Sequence, residues 1–130
     1  MKQIRVFFLA FAAALFLLTT SCREETEVPV ITCIMATDTL IAPQNVTVEY
    51  LLKAEGDYEV AVFYYYGIDG LVAISNPTTP YFVSIELPVE ATIHAGSEGT
   101  VKEGNIEISY KAYNSEISFE RITVCSQEKP

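Results

Sequence analysis

Tryptophan is absent, histidine occurs once, and bases are scarce: the 130-residue chain has 8 Lys plus Arg against 17 Asp plus Glu. Each scarcity excludes something. Without Trp, the core-tryptophan signature of true immunoglobulin domains is missing. With His94 as the single histidine, neither a histidine-rich metal site nor a nucleophile–histidine–acid arrangement finds support. The acid excess repels a phosphate backbone and excludes nucleic acid as a partner. No Cys-x-x-Cys occurs, which removes thioredoxin-like chemistry, and the cysteine spacing is wrong for zinc. Beyond the first 21 residues no stretch keeps a helical period.

What is present begins with a leader. Lys2 and Arg5 precede an uninterrupted apolar run from Val6 to Leu18. That run is shorter than the about 20 residues a transmembrane helix needs, and it has the length of a signal-peptide core. Leu18-Thr19-Thr20-Ser21-Cys22 closes it. This arrangement resembles a bacterial lipoprotein signal, although Thr19 stands where that motif usually has Leu. The resemblance implies cleavage before Cys22 and acylation of its side chain. Two or more acyl chains hold a protein on a membrane stably, whereas one is marginal. The following Arg23-Glu24-Glu25-Thr26-Glu27 resembles the surface-export signal of Bacteroidetes lipoproteins, and it also reads as a solvated linker. Both faces of the outer membrane, cell surface and periplasmic, stay open.

Removing residues 1–21 leaves 109 residues, enough for one domain with a real core. Six bases then face 17 acids, a net charge of −11. If Cys22 carries lipid, Cys33 and Cys125 remain as an even pair near the two ends of the domain. An exported protein favours a disulfide between them; two separate buried thiols are the alternative. The expected organisation is leader 1–21, acylated Cys22 with an acidic tether to residue 28, domain 29–126 and a polar tail 127–130.

Period two runs through nearly all of the domain. Val30 to Ala36 is β-prone, and Ala42 to Asn45 is a turn. Val46, Val48, Tyr50 and Leu52 alternate with polar or half-polar neighbours until Glu55-Gly56-Asp57 breaks the run. Tyr58 to Tyr66 is the strongest strand, with Tyr58, Val60, Val62, Tyr64 and Tyr66 on one face and Glu59, Ala61, Phe63 and Tyr65 on the other. Gly67-Ile68-Asp69-Gly70 makes a hairpin into Leu71 to Ile74. Asn76 to Pro80 is a connector stiffened by its prolines. Tyr81 to Leu87 and Val89 to Ala95 read as strands, Gly96 to Gly104 as a glycine-rich loop, and Ile106 to Ala112 as a strand with one wet face. The last strand changes phase between Phe119 and Ile122, which calls for a bulge near Glu120-Arg121. Seven to eight short strands with no helix predict an all-β, immunoglobulin-like antiparallel sandwich.

From Val46-Thr47-Val48-Glu49-Tyr50 through Glu55-Gly56, Tyr58 to Tyr66, Asn76 to Tyr81, Ala91 to Gly96 and Ile106 to Tyr113, the order of features is similar to small exported sandwich proteins of the mycobacterial MmpS type. Where that family has Trp after the proline, this chain has Tyr81; where it has Asn-Gly or Asp-Gly at the late turn, this chain has Asn114-Ser115. The resemblance implies an accessory role beside membrane transporters and brings no catalytic residues with it.

The remaining candidates for chemistry are thin. Glu86 and Glu90 flank Leu87-Pro88-Val89, but so small a domain lacks the walls of a glycosidase cleft. Asp57 and Asp69 sit beside glycines without a calcium-loop pattern. Tyr64, Tyr65, Tyr66 and Tyr81 are the most suggestive group, because exposed tyrosines stack on sugars or anchor protein interfaces. The sequence thus predicts a lipid-anchored, non-enzymatic envelope protein without cofactor or metal. Its partners would be the membrane through the anchor, an envelope protein or transporter, or a glycan; a pilus-type structural subunit is a further alternative.

Overall fold

A computed structural model describes residues 29–127. The leader, Cys22 and the acidic tether lie outside the described residues, as do residues 128–130. Eight strands follow in order: β1 (Ile31–Ala36), β2 (Leu40–Ile41), β3 (Val46–Gly67), β4 (Gly70–Ser75), β5 (Tyr81–Leu87), β6 (Thr92–Ile93), β7 (Ala95–Tyr113) and β8 (Ser118–Gln127). Among the described residues there is no helix, and every pairing is antiparallel.

Two of these strands are far longer than the rest. β3 has 22 residues and β7 has 19, and they pair from Thr47–Tyr113 to Tyr65–Ala95. At about 3.3 Å per residue, a straight strand the length of β3 would approach 70 Å, too long to bury one face within a domain of this size. The ribbon bends instead. Gly56 and Gly104 face each other across it, at φ +91° and +106°. A Cβ on Gly104 would lie 1.9 Å from Glu55 O, and one on Gly56 would lie 2.2 Å from Glu103 O, so neither position accepts a side chain. Glu55-Gly56-Asp57, which reads as a strand break in sequence, is this corner within one continuous strand.

The bend gives each long strand two arms, and each pair of arms becomes the centre of a four-stranded sheet. One sheet runs β5–β3–β7–β8 and the other β4–β3–β7–β1. Val46, Val48, Tyr50, Leu52, Ile106, Ile108 and Tyr110 point inward from the first; Cys33, Val60, Phe63, Tyr65 and Val101 point inward from the second. The rings of Tyr50 and Tyr65 meet across the gap at 5.0 Å, and Tyr50 stands edge-on to Tyr110 at 6.2 Å. Each large apolar side chain so buried contributes about 1.5–3 kcal/mol. The short β2–β6 pair lies outside this sheet.

Four sequence expectations are corrected. Gly96 to Gly104 is the first arm of β7, not a loop; its glycines lie where neighbours approach closely, and Gly99 would carry a Cβ 2.4 Å from Glu59 O. Val89 to Ala95 yields only the two-residue β6 and the start of β7. In β3 the register shifts between Val60 and Val62, so the inward face passes from Val60 to Phe63 and Tyr65. No bulge interrupts β8, which holds register from Ser118 to Gln127; Ile122 and Val124 simply face outward.

Cys33 of β1 and Cys125 of β8 are disulfide-bonded, with Cα atoms 6.0 Å apart and a sequence separation of 92. The bond joins an edge strand of one sheet to an edge strand of the other. Closing so long a loop stabilises the fold by about 4–5 kcal/mol in the chain-entropy account. Thiol titration of the denatured, unreduced domain should find neither Cys33 nor Cys125 free, and two reactive thiols would refute the bond. The corner yields a second prediction. Gly104→Ala should cost about 4 kcal/mol in urea unfolding, combining strained φ with a backbone clash. Gly70→Ala, at φ +112° with open space around it, should cost only about 1–2 kcal/mol. Equal losses at the two positions would mean that the corner is not held by this contact.

Candidate functional site

The bend fixes the two ends of the domain. Ile31 pairs with Val101 and Gln127 with Gly104, so the chain enters and leaves the described fold at the corner. The Gln127 side-chain amide also donates to Pro29 O. The other end collects the loops that follow β1, β3, β5 and β7. Two backbone bonds tie the β2 end to the segment after β5, Ala42 N–H to Ala91 O at 2.9 Å and Glu90 N–H to Ala42 O at 2.7 Å.

Asn114 holds this far end together. Its Nδ2 donates to Gln44 Oε1 and to Asn45 O, both at 3.0 Å. Its Oδ1 accepts from the N–H groups of Glu116 and Ile117 at 2.7 and 2.9 Å, which closes the β7–β8 turn. Asn45 Oδ1 accepts from Val89 N–H at 2.8 Å. With loop backbones thus pinned, an open cleft of about 440 Å³ forms between them, lined by Asn45, Val46, Thr47, Ile68, Glu86, Leu87, Pro88 and Asn114. Its volume falls within the range of small-ligand and peptide-side-chain sites. Ile68 is 72% exposed at the tip of the β3–β4 turn.

The tyrosines divide between two environments. Tyr65 is buried and packs on Tyr50 and Phe63, so it is a core residue rather than a surface contact. Tyr81 leans inward onto Phe63, with ring centres 5.7 Å apart. Tyr64 and Tyr66 lie on the outer face and are half-buried, flanking His94 at 6.2 and 6.1 Å. The Tyr64 ring covers Gly96 directly across the ribbon, occupying the space a side chain there would take. His94 Nδ1 sits 3.1 Å from Thr39 Oγ1. These three rings make an aromatic ledge, of which Tyr64 and Tyr66 are the two sequence-selected members able to meet a ligand. Among the described residues no group of three His, Cys, Asp or Glu side chains is arranged to hold a metal.

The sequence reading did not single out Asn45, Ile68, Glu86 and Asn114 as one site. Each belongs to a different turn or strand end, and only the bend brings them together. One signal was available: alternate loops of a sandwich share an end, and these loops are alternate ones. No protein-family model matches the chain, and no curated protein or solved structure is detectably similar to it. The site therefore rests on its own geometry.

Burial pushes Tyr50, Tyr65 and Tyr110 above the ordinary tyrosine value of 10.0, with Tyr81 adding to the effect at Tyr65. Tyr113, on the surface, is raised mainly by its hydrogen bond to Glu49 Oε1 at 3.1 Å. A raised folded-state value means that the folded chain keeps protons the unfolded chain has lost. This stability is complete below about pH 10 and disappears as pH rises through the folded values. Absorbance titration near 295 nm should therefore show Tyr50, Tyr65 and Tyr110 ionising only as circular dichroism reports unfolding. Full ionisation of all tyrosines with the fold intact would contradict the buried assignments.

Proposed function

We propose that this chain is a lipid-anchored, non-catalytic binding module of the bacterial outer envelope. Cys22 carries the lipid, the acidic segment after it leads to β1, and the loop cleft faces a protein partner. The observation that carries this reading is the placement of the ends. The chain enters the domain at the Gly56–Gly104 corner, while the cleft between Asn45, Ile68, Glu86 and Asn114 opens at the opposite end. An anchor attached ahead of Pro29 thus leaves the cleft unobstructed. Tethering raises the local concentration of such a module near partners in the same membrane without any further contact.

Glycan capture is the second reading, supported by the outward Tyr64–His94–Tyr66 ledge, since aromatic faces stack on sugar rings.

Three variants test the first reading in cells. Cells fed a radiolabelled fatty acid should label the protein, and Cys22→Ser should abolish the label while the domain stays folded. A photo-crosslinking residue in place of Ile68 should repeatedly capture one envelope protein, whereas the same residue in place of Lys102, near the corner, should not. Equal capture at both positions, or a fatty-acid label that survives Cys22→Ser, would overturn the proposal.

A further inference from the structure

The far end of the domain carries a charge pattern that the corner does not share. Each of its four loops holds one carboxylate and no base: Asp38 after β1, Asp69 after β3, Glu90 after β5 and Glu116 after β7. Glu86, exposed on the cleft wall, adds a fifth. At the corner, by contrast, Glu55, Asp57, Glu59 and Glu103 are interspersed with Lys53 and Lys102. The one side-chain ion pair among the described residues, Lys53 to Glu107 at 3.0 Å, also lies on that side. Two bases thus partly offset the acids at the corner, whereas the loops hold none and the nearest base, Lys111 in β7, lies over the Tyr113 ring.

Between the loop acids the cleft is apolar. Val46, Leu87 and Pro88 line it, and Ile68 stands over it with its side chain largely in solvent. The cleft is open to solvent rather than enclosed, which suits a chain segment laid into it better than an engulfed small molecule. Its charge rejects anions and disfavours a second copy of this acidic chain.

We propose that the occupant is a basic, extended segment of a protein partner. An apolar side chain of that segment seats between Ile68 and Pro88, and flanking Lys or Arg side chains meet Asp69, Glu86 and Glu116. This inference rests on the binding-module reading and specifies the chemistry of the partner that the cleft accepts. The carboxylates supply attraction and register, and the apolar trough supplies contact area.

The test uses the full-length chain in neutral detergent micelles and three labelled, glycine-spaced peptides of about twelve residues. All carry leucines; they differ in bearing arginine, glutamine or glutamate between them. Fluorescence anisotropy should show binding of the arginine peptide, about tenfold weaker binding of the glutamine peptide, and none of the glutamate peptide. Raising salt from about 50 to 300 mM should weaken the arginine peptide several-fold. Asp69→Asn and Glu86→Gln should each cost roughly two- to fivefold, whereas Glu55→Gln at the corner should cost nothing. Ile68→Ser should weaken all leucine-bearing peptides that bind. Equal binding of arginine and glutamine peptides overturns the charge assignment and points to a neutral ligand. Equal losses from Glu55→Gln and Glu86→Gln overturn the site, because attraction would then be spread over the acidic surface. These outcomes are distinct from failure of the in-cell crosslink at position 68, which would sink the tethered-partner reading while leaving the cleft chemistry measurable.

Discussion

A two-stranded ribbon that must fold back on itself governs this domain. β3 and β7 supply the central strands of both sheets, so the sandwich exists only if the ribbon turns a corner. The corner is made where Gly56 and Gly104 oppose each other in a backbone conformation that side chains disfavour, with carbonyl oxygens filling the space a Cβ would need. Everything else follows from it. The two arms of β3 bring Tyr50 over Tyr65; the two arms of β7 place β1 and β8 on the same side, where Cys33 meets Cys125. The corner also gathers the chain ends and sends the loops to the opposite pole.

How much of this the sequence disclosed can be judged element by element. The all-β class, the even-numbered inward face from Val46 to Leu52, the β3–β4 hairpin and the regular strand from Ile106 to Ala112 were legible because period two is a local property. The corner was not. Glycines interrupt local periodicity equally at a loop and at a sharp bend inside a strand, and only the partner strand distinguishes the two. The same ambiguity turned Gly96 to Gly104 into an expected loop, although the glycines there make room for Glu59 O and the Tyr64 ring. The inward turn of Tyr65 depended on a register shift near Val62, and no local pattern within Tyr58 to Tyr66 marks where that shift falls. In β8 the error ran the other way. Ile122 and Val124 read in sequence as residues that need burial, yet exposed apolar residues are ordinary on a protein surface.

The candidate site was legible only in parts. Asn114 was readable as a turn residue, and its hydrogen bonds to Glu116 and Ile117 fulfil that role. Its amide does something the sequence could not show, reaching Gln44 and Asn45 some 70 residues earlier in the chain. The tyrosine run was readable as a candidate surface, but alternation alone could not say which phase faced out. That choice falls to Tyr64 and Tyr66, and it places them beside His94 rather than beside the cleft.

The rigidity of the loop end comes from the core beneath it. Tyr50 reaches from one sheet to donate its hydroxyl to Tyr66 O in the other at 2.9 Å, and Tyr110 donates to Asp38 O at 3.3 Å. Buried phenols of this kind need partners, because an unpaired hydroxyl in an apolar interior costs about 1–3 kcal/mol. Here the partners are backbone carbonyls at the base of the loops, so satisfying the core also fixes the segments that carry Asp38 and the aromatic ledge. Leucine in those positions would fill comparable space without that tie. The choice of tyrosine over aliphatic residues in the core is therefore linked to the shape of the loop end, and through it to the surface offered away from the corner.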